Sequence, residues 1–343
     1  MMIRRICLIV PCFDEVESLP EFYRRVCVLA EGFPERSWEF LFVNDGSADG
    51  SAEFLDTVAA QDQRVKVLHL ACNRGHQIAL MAGIDFAEAD LLVTIDADLQ
   101  DPPELVLDMV AQVERGFDVV HAQRRRRSGE TLFKLGTARL FYLLMKCLGG
   151  ADIIPDCGDF RAFVPAVQQT VRSFRTPHVF LRGLFAQAGY RQCVISYDRD
   201  PRFAGRTKYP FLKMVTLALD ATLGFTAFPI RAISGVSLVL WGISLVYLVR
   251  SLVVHFVFHG TVQGWTSLIC LLFFFTGLIL FCMAIIGAYV GRIFVQGQGY
   301  PLYWLSGVRN VPMGRTDGDE PREYRLARST VPADEGSDGN GVV

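Results

Sequence analysis

The chain has 343 residues, which is enough for one large domain and an added module. Its 34 basic and 36 acidic residues give a net charge of −2, so it lacks the basic field that attracts nucleic acid, and no nucleic-acid partner is expected. A hydrophobic fraction of 51% and a mean hydropathy of +0.29 are high for a soluble protein. Nine cysteines without a C-x-x-C pair are expected to be reduced and to behave as small buried hydrophobes.

The first 122 residues alternate short β-branched runs with amphipathic stretches, a pattern typical of βαβ units and a mostly parallel sheet. Acidic residues follow the amino-terminal apolar run and no small-residue cleavage site is present, so this run predicts a strand and not a signal peptide. The predicted strands are residues 6–10, 40–43, 65–70, 91–95 and 119–121. The polar loops at 11–15, 44–47 and 96–100 should meet at one rim of the sheet, where ligands bind in open α/β folds.

Two late stretches without charged side chains, residues 232–249 and 265–290, predict a transmembrane hairpin within 231–292. The helices are expected at about 232–256 and 265–290; two buried core helices are the alternative. Arg231 and Arg292 flank the pair, whereas the link between the helices has no Lys or Arg, so both ends are expected in the cytosol.

Residues 1–230 then form the cytosolic catalytic domain of a multi-pass membrane protein. Within it, residues 131–148 and 211–228 are apolar but contain charges, which favours helices lying at the bilayer interface. Ordinary amphipathic helices packed on the sheet are the alternative. Residues 293–343, and especially those after Ser306, are polar and glycine-rich and are expected to be largely disordered.

The strongest local motif is TIDADLQDPPE, in which a strand runs directly into Asp96, Asp98 and Gln100. Oxygen ligands at alternate positions suit Mg²⁺ or Mn²⁺, which can also bind the phosphate oxygens of a diphosphate. The alternative is that these carboxylates only cap the next helix, the role expected for Asp101.

A second motif, VNDGSADGS, ends a strand in a turn and leaves Asp45 on the rim predicted for Asp98. Turn chemistry alone also explains its composition. In NRGHQIAL, the helix start formed by Asn73 to Gly75 could face an anion. His76 lies just inside this helix and has no partner visible in the sequence, so a structural role is favoured over a catalytic one.

The segments VPCFDEVESL, VNDGSADGS, NRGHQIALMAGID, TIDADLQDPPE, GDFRAF and RFAGRTKYP occur here in the order typical of family 2 glycosyltransferases. The chain resembles the dolichol-phosphate mannosyltransferase branch, and in particular the bacterial polyprenyl-phosphate glycosyltransferases with a carboxyl-terminal membrane hairpin. The resemblance covers residues 6–292. It implies an α/β domain of the GT-A glycosyltransferase fold, followed by two transmembrane helices.

The resemblance also implies roles on the donor side of the site. Asp98 and Gln100 would bind the metal, with Asp96 facing the nucleotide beside it. The nucleoside of the donor would be held by Pro11, Phe13, Asp14, Glu15 and Asp45. Family members often have Tyr-Asn where this chain has Phe13 and Asp14, so recognition of the base is expected to differ.

On the acceptor side, the resemblance implies that Arg124 and Arg127 reach the lipid phosphate. Arg202 and Lys208, in a basic loop before the membrane, would neutralise phosphates. The alternative for Arg124 and Arg127 is a solvated charge cluster. The alternative for Arg202 and Lys208 is a patch that binds anionic lipids. Asp159 matches the acidic position beside the acceptor; it is expected to orient the acceptor more than to remove a proton, and Arg124, Arg127 and Lys208 are the candidate cations that it would hold.

The sequence thus predicts an inverting transfer of a sugar from a UDP- or GDP-linked donor to a polyprenyl phosphate at the bilayer of a bacterial plasma membrane. The lipid-linked monosaccharide would serve envelope glycan synthesis. A polysaccharide synthase and a non-catalytic lipid-carrier partner that retains the fold are the alternatives. The transmembrane helices could also support homo-oligomers.

Overall fold

The computed structural model describes residues 2–125, 154, 157–175, 180–198 and 265–311, together with single positions between 233 and 253. The predicted interfacial helices at 131–148 and 211–228 lie outside the described residues. So do the tail beyond residue 311 and, apart from those single positions, the predicted span at 232–256.

The described residues form an eight-stranded mixed sheet with the order β7-β5-β6-β4-β1-β2-β3-β8. The central strands β4, β1, β2 and β3 are parallel to one another, and β5 is parallel to β7. Strand β6 runs antiparallel between β4 and β5, and β8 runs antiparallel at the edge beside β3. The strands are β1 (Arg5–Cys12), β2 (Ser37–Asn44), β3 (Val65–Leu70), β4 (Leu91–Thr94), β5 (Val119–Arg124), β6 (Cys157–Phe163), β7 (Gln192–Tyr197) and β8 (Leu305–Arg309).

Helices cover both faces of this sheet. The helices α1, α2 and α4 contribute to the core on one face, and α3, α5 and α6 to the core on the other. The helices are α1 (Leu19–Glu31), α2 (Ser51–Gln61), α3 (His76–Phe86), α4 (Val106–Glu114), α5 (Pro165–Arg172), α6 (Leu181–Gln187) and α7 (Trp265–Gly297).

Strand β1 shows why the sheet needs two covering layers. Its residues Ile6, Leu8 and Val10 belong to one core, whereas Cys7 and Ile9 belong to the other. Successive side chains of a strand point to opposite faces, so an unbroken apolar run must be buried on both. The fold therefore exposes its chemistry at the strand ends and not on the faces of the sheet.

All five predicted strands are confirmed, each within three residues of its expected ends. The sequence analysis did not predict β6, β7 or β8. Strand β6, CGDFRAF, is fully buried although it contains Asp159 and Arg161, because these two charges pair with each other. Its burial between β4 and β5 brings an acidic residue into the middle of the sheet.

Among the described residues, one helix is long and apolar enough to cross a bilayer. It is the 23-residue stretch Phe275–Gly297 of α7, with a mean hydropathy of 2.3 and no part of its most apolar window buried. At 1.5 Å per residue it measures about 35 Å, against about 30 Å for the hydrocarbon core of a membrane. The helix contains most of the second predicted span and continues seven residues past its expected end at 290. Two transmembrane helices are therefore not confirmed.

The prediction that the chain is largely disordered from residue 293 is wrong as far as residue 311. After α7 the chain returns to the sheet, where β8 pairs with β3. Tyr303 is fully buried, and its hydroxyl donates to Asp85 Oδ2 at 2.7 Å. The Asn310 side chain donates to the carbonyl oxygens of Ala59 and Val65 at 2.6 and 2.9 Å. These contacts lie more than 200 residues away in sequence, which explains why local composition failed to predict them.

This return segment provides a test of its structural role. We expect Tyr303→Phe to lower the Tm by roughly 2 to 8 °C, because a buried hydrogen bond worth about 1–2 kcal/mol is lost and each kcal/mol corresponds to about 2–4 °C. Tyr300→Phe is the matched control, since Tyr300 is exposed and three residues away. Thermal unfolding of the two full-length variants measures the difference, and equal Tm values would show that the Tyr303–Asp85 hydrogen bond contributes nothing to stability.

Candidate active site

Four of the predicted polar residues meet at the carboxyl ends of adjacent strands. Asp45 follows β2, and Asp96, Asp98 and Gln100 follow β4, while β1 lies between these two strands. Asp45 and Asp98 are buried although they carry carboxylates. The expected rim is therefore present, and it is strongly acidic.

Asp45 is bound by the main chain of the neighbouring loop. Its two carboxylate oxygens accept the backbone N–H groups of Arg74 and Gly75 at 2.7 and 2.8 Å. Burial raises the pKa of Asp45, although both hydrogen bonds favour the charged form. Gly46 has a φ of +70°, and a Cβ there would lie 2.8 Å from the amide nitrogen of Asn73. Glycine at this position thus allows the two loops to touch.

The loop after β1 is tied to the same region. Asp14 has a φ of +53°; its backbone N–H donates to Ser47 Oγ at 3.0 Å, and its carboxylate accepts the N–H of Ala48 at 3.1 Å. The Glu15 N–H donates to Ser51 Oγ at 3.1 Å. Asp14 and Glu15 therefore help to shape the loop. The neighbouring Pro11 is buried in β1, and Phe13 is partly exposed on the rim.

The Asp96 to Gln100 loop is held in a compact turn. The Gln100 N–H donates to Asp98 Oδ1 at 3.2 Å, and Leu99 between them has a φ of +59°. A left-handed backbone at a leucine is uncommon, and such strain is concentrated at functional sites. No group of three or more His, Cys, Asp and Glu side chains suited to a metal occurs among the described residues. Asp96, Asp98 and Gln100, the predicted metal ligands, contribute two carboxylates and one amide to this loop.

The Asp96 carboxyl has few contacts that offset the cost of burying its charge. Burial raises its pKa to about 6; His76 opposes the shift, and the charges of Asp101, Asp159 and Asp98 add to it. Its Oδ1 atom is buried and has no hydrogen-bond partner within the described part of the chain. The nearest cation in the part of the chain that the structure describes is His76, whose Nε2 lies 3.5 Å from this atom.

His76, for which the sequence showed no partner, contacts two carboxylates in the structure. Its Nε2 lies 3.3 Å from Asp159 Oδ2 as well as 3.5 Å from Asp96 Oδ1. Burial disfavours the charged imidazole, but the two carboxylates outweigh it and raise the pKa of His76 to about 9. Because Asp159 is 83 positions further along the chain, the sequence pattern of the helix alone could not reveal this contact. His76 is therefore a cation at neutral pH that joins the β4 loop to β6.

Asp159 lies at the centre of a cationic cluster. Gln77 Nε2 donates to its Oδ2 at 2.9 Å, Arg161 Nη2 to its Oδ1 at 3.2 Å and Arg182 Nε to its Oδ1 at 3.3 Å. Burial disfavours its charged form, but Arg182, His76 and Arg161 together hold the pKa of Asp159 well below its usual range. The expectation that Asp159 holds Arg124 is wrong: its arginine partners among the described residues are Arg161 and Arg182.

Sequence reasoning missed Arg161 and Arg182. Arg161 lies two residues after Asp159 on β6, so both side chains point to the same face, and this spacing could have identified it. Its guanidinium stacks 4.5 Å above the Phe185 ring and donates to the Gly158 carbonyl at 2.9 Å. Arg182 comes from α6, a segment with no motif, and no local signal predicted it.

Asp101 does not cap a helix as predicted. The following 3₁₀ turn at Pro103–Leu105 has no side-chain cap. Asp101 is instead 0% exposed; it accepts a hydrogen bond from the Tyr197 hydroxyl and lies 3.5 Å from Arg124 Nη2. A Cβ on Gly158 would lie 2.8 Å from that same Nη2. Arg124 is thus held between the β4 loop and Gly158, the residue before Asp159, but it is paired with Asp101.

The remaining predicted acceptor residues lie outside the described part of the chain. They are Arg127, Arg202 and Lys208.

Comparison with known proteins agrees with this architecture. The Glycosyl transferase family 2 profile matches residues 7–167. The "Uncharacterized glycosyltransferase YkcC" of Bacillus subtilis is 39% identical over 86% of this chain and 91% of its own length. The "Bactoprenol glucosyl transferase" of Shigella phage SfV is 33% identical over 87% of this chain and 97% of its own. The "Prophage bactoprenol glucosyl transferase homolog" of Escherichia coli is 31% identical over 89% and 99%.

The chain belongs to glycosyl transferase family 2, and it is a glycosyltransferase with a GT-A-like α/β fold.

Proposed function

We propose that this protein transfers a sugar from a nucleotide diphosphate sugar to a polyprenyl phosphate at a membrane surface. The observation that carries the proposal is the path of the chain after α7. Leu305, the first residue of β8, pairs with Leu70 at the carboxyl end of β3, the end of the sheet that bears Asp45 and Asp98. Only residues 298–304 separate this pair from Gly297, and seven residues span at most about 25 Å. The acidic rim therefore lies close to one end of the candidate membrane helix.

A lipid-linked acceptor fits this arrangement. A soluble acceptor would not require the rim to lie near a bilayer, whereas a phosphate on a membrane lipid does. The relatives named bactoprenol glucosyl transferase support a polyprenyl lipid as the acceptor. The proposal leaves open whether the donor nucleotide is UDP or GDP and which sugar is transferred.

The rim residues fit a divalent cation, Mg²⁺ or Mn²⁺. Asp98 and Gln100 would hold it, with Asp96 beside it, because hard oxygen ligands suit these ions and leave positions for phosphate oxygens. The buried Asp96 Oδ1 without a hydrogen bond supports the assignment, since four carboxyl groups lie close enough to affect one another here. When bound, the cation would stabilise the negative charge that develops on the departing diphosphate.

On the donor side, we propose that the nucleoside is bound by Pro11, Phe13, Asp14, Glu15 and Asp45. Each carboxylate oxygen of Asp45 already accepts one backbone N–H, so its proposed first role is to fix the Arg74–Gly75 turn beside the nucleoside. A fixed turn offers preorganised contacts, which reduces the entropy lost when the donor binds.

On the acceptor side, Asp159 is proposed to orient the site and not to act as a base. A phosphomonoester has a second pKa near about 6, so most of the acceptor is ionised at neutral pH and is already nucleophilic. A carboxylate held by Arg161, Arg182 and His76 is also a weak base, because these cations lower its pKa. Attack of a phosphate oxygen on the anomeric carbon, with departure of the diphosphate, inverts that carbon. Arg124, Arg127, Arg202 and Lys208 are proposed to neutralise phosphates.

The proposal includes a cytosolic catalytic domain on a two-helix anchor in a bacterial plasma membrane. The helices would span about 232–256 and 265–290 or slightly beyond, with interfacial helices at 131–148 and 211–228. The exposed apolar surface of α7, including Leu271, Phe281 and Ile286, supports contact with lipid or with a second copy of the helix.

The cation assignment predicts that Asp98→Asn abolishes transfer while the fold is kept. The reason is that the carboxylate proposed to hold the metal together with Gln100 loses its charge. Purified protein would be given polyprenyl phosphate and a panel of labelled UDP- and GDP-sugars, with and without EDTA. Asp108→Asn, an exposed carboxylate on α4, is the control and should retain full activity. Normal transfer in EDTA would refute the assignment.

The orienting role of Asp159 predicts a severe loss in Asp159→Asn, roughly a hundredfold, because misplacing a reacting group by about 1 Å has that effect. The rate of the variant should stay low as pH rises above the acceptor's pKa and on addition of a small base. Arg182→Met is the companion variant. It removes a cation that lowers the pKa of Asp159, so a base role predicts unchanged or faster transfer, whereas an orienting role predicts a loss. Recovery of Asp159→Asn at high pH would establish the base role instead.

A further inference from the structure

The segment between the membrane helix and β8 contacts the donor side of the site. The Arg74 guanidinium lies 4.6 Å from the centre of the Trp304 ring, within the range of a cation–π interaction. The Trp304 carbonyl also accepts the backbone N–H of Ala71 at 2.8 Å. A single residue that follows the membrane helix therefore binds both the side chain of Arg74 and the main chain just before it.

Arg74 is part of the turn that holds Asp45. Its backbone N–H donates to Asp45 Oδ1 at 2.7 Å, and the next residue, Gly75, donates to Oδ2 at 2.8 Å. Gly75 has a φ of +91° and immediately precedes helix α3, which begins with His76. A shift of this turn would thus move Asp45 and His76 together.

Trp304 itself is held firmly. On one side, Tyr303 is fully buried and bonded to Asp85; on the other, Leu305 is buried and paired with Leu70. The indole is nevertheless 37% exposed, so part of it faces solvent at the rim. It is a rigid aromatic surface, anchored by its neighbours and presented beside the proposed nucleoside site.

We propose that Trp304 is a positioning residue for donor binding, which holds the Arg74 side chain and the Arg74–Gly75 turn in place for the nucleotide part of the donor. The proposal rests on the nucleotide-sugar function proposed above and adds a residue from beyond the membrane helix to that site. A cation–π interaction between these groups corresponds to roughly 2- to 30-fold in a binding constant. The effect should therefore appear in donor affinity and not in the chemical step.

The test uses the full-length protein and compares Trp304→Ala with Trp304→Phe. In Trp304→Ala we expect the KM for the nucleotide sugar and the Kd for the free nucleoside diphosphate to rise about tenfold. The KM for polyprenyl phosphate and kcat should stay within about twofold. Trp304→Phe keeps an aromatic face and should recover most of the donor affinity. Arg309→Ala is the control: Arg309 lies on β8, and the variant loses an exposed ion pair with Asp56 and a hydrogen bond to the Val308 carbonyl, so donor binding should not change.

A double-mutant cycle separates positioning from general stability. Arg74→Met keeps most of the side-chain length without the charge, and adding Trp304→Ala to it should cause little further loss of donor affinity. Independent, additive losses would overturn the proposal. An unchanged donor Kd in Trp304→Ala would also overturn it. So would an equal fall of kcat and of the affinities for donor and acceptor, together with a lower Tm. Failure of the wild type to transfer sugar to polyprenyl phosphate would instead refute the proposed function, because the comparison of nucleotide Kd values does not depend on the acceptor.

Discussion

The structure has to accommodate several carboxylates that are buried at one end of the strands of the sheet. An isolated carboxylate taken out of water is costly unless it is paired or hydrogen-bonded. Each of these groups meets the requirement differently: Asp45 through two backbone amides, Asp101 through Tyr197 and Arg124, and Asp159 through Arg161, Arg182 and His76. Asp96 is the exception, because its close cation among the described residues, His76, is shared with Asp159, and its pKa is raised to about 6. The rim is thus most poorly compensated where a metal ion and a diphosphate are proposed to bind.

The shared cations connect the two halves of the site. His76 lies between Asp96, on the proposed donor side, and Asp159, on the proposed acceptor side. Arg124 likewise joins the loop after β4, through Asp101, to the backbone of Gly158. Any group that changes the charge at Asp96 therefore acts on the same imidazole that positions Asp159. This geometry gives a physical route by which occupation of the donor site can prepare the acceptor site without a large movement of the fold.

Much of this fold could be predicted from local pattern, and the rest depends on contacts between distant residues. The strands β1 to β5 and the acidic rim follow from short apolar runs that end in polar turns. Asp101 was misassigned because an aspartate before a proline fits a helix cap equally well, and only Tyr197, 96 residues later, reveals its real role. The partners of Asp159 come from α3, β6 and α6, and no single segment contains that information. Strand β8, with the sequence LSGVR, is short and half exposed, so its hydrogen bonds to β3 and not its composition define it.

We propose that the negative charge of the carboxylate rim is balanced only when a divalent cation accompanies the diphosphate. The most direct test is calorimetric titration of the purified protein with UDP and with GDP, with and without Mn²⁺ or Mg²⁺. The account predicts that at least one nucleotide binds at least tenfold more tightly when the cation is present, because the cation offsets repulsion between the phosphates and the carboxylates at Asp96 and Asp98. Equal affinity with and without the cation would contradict it.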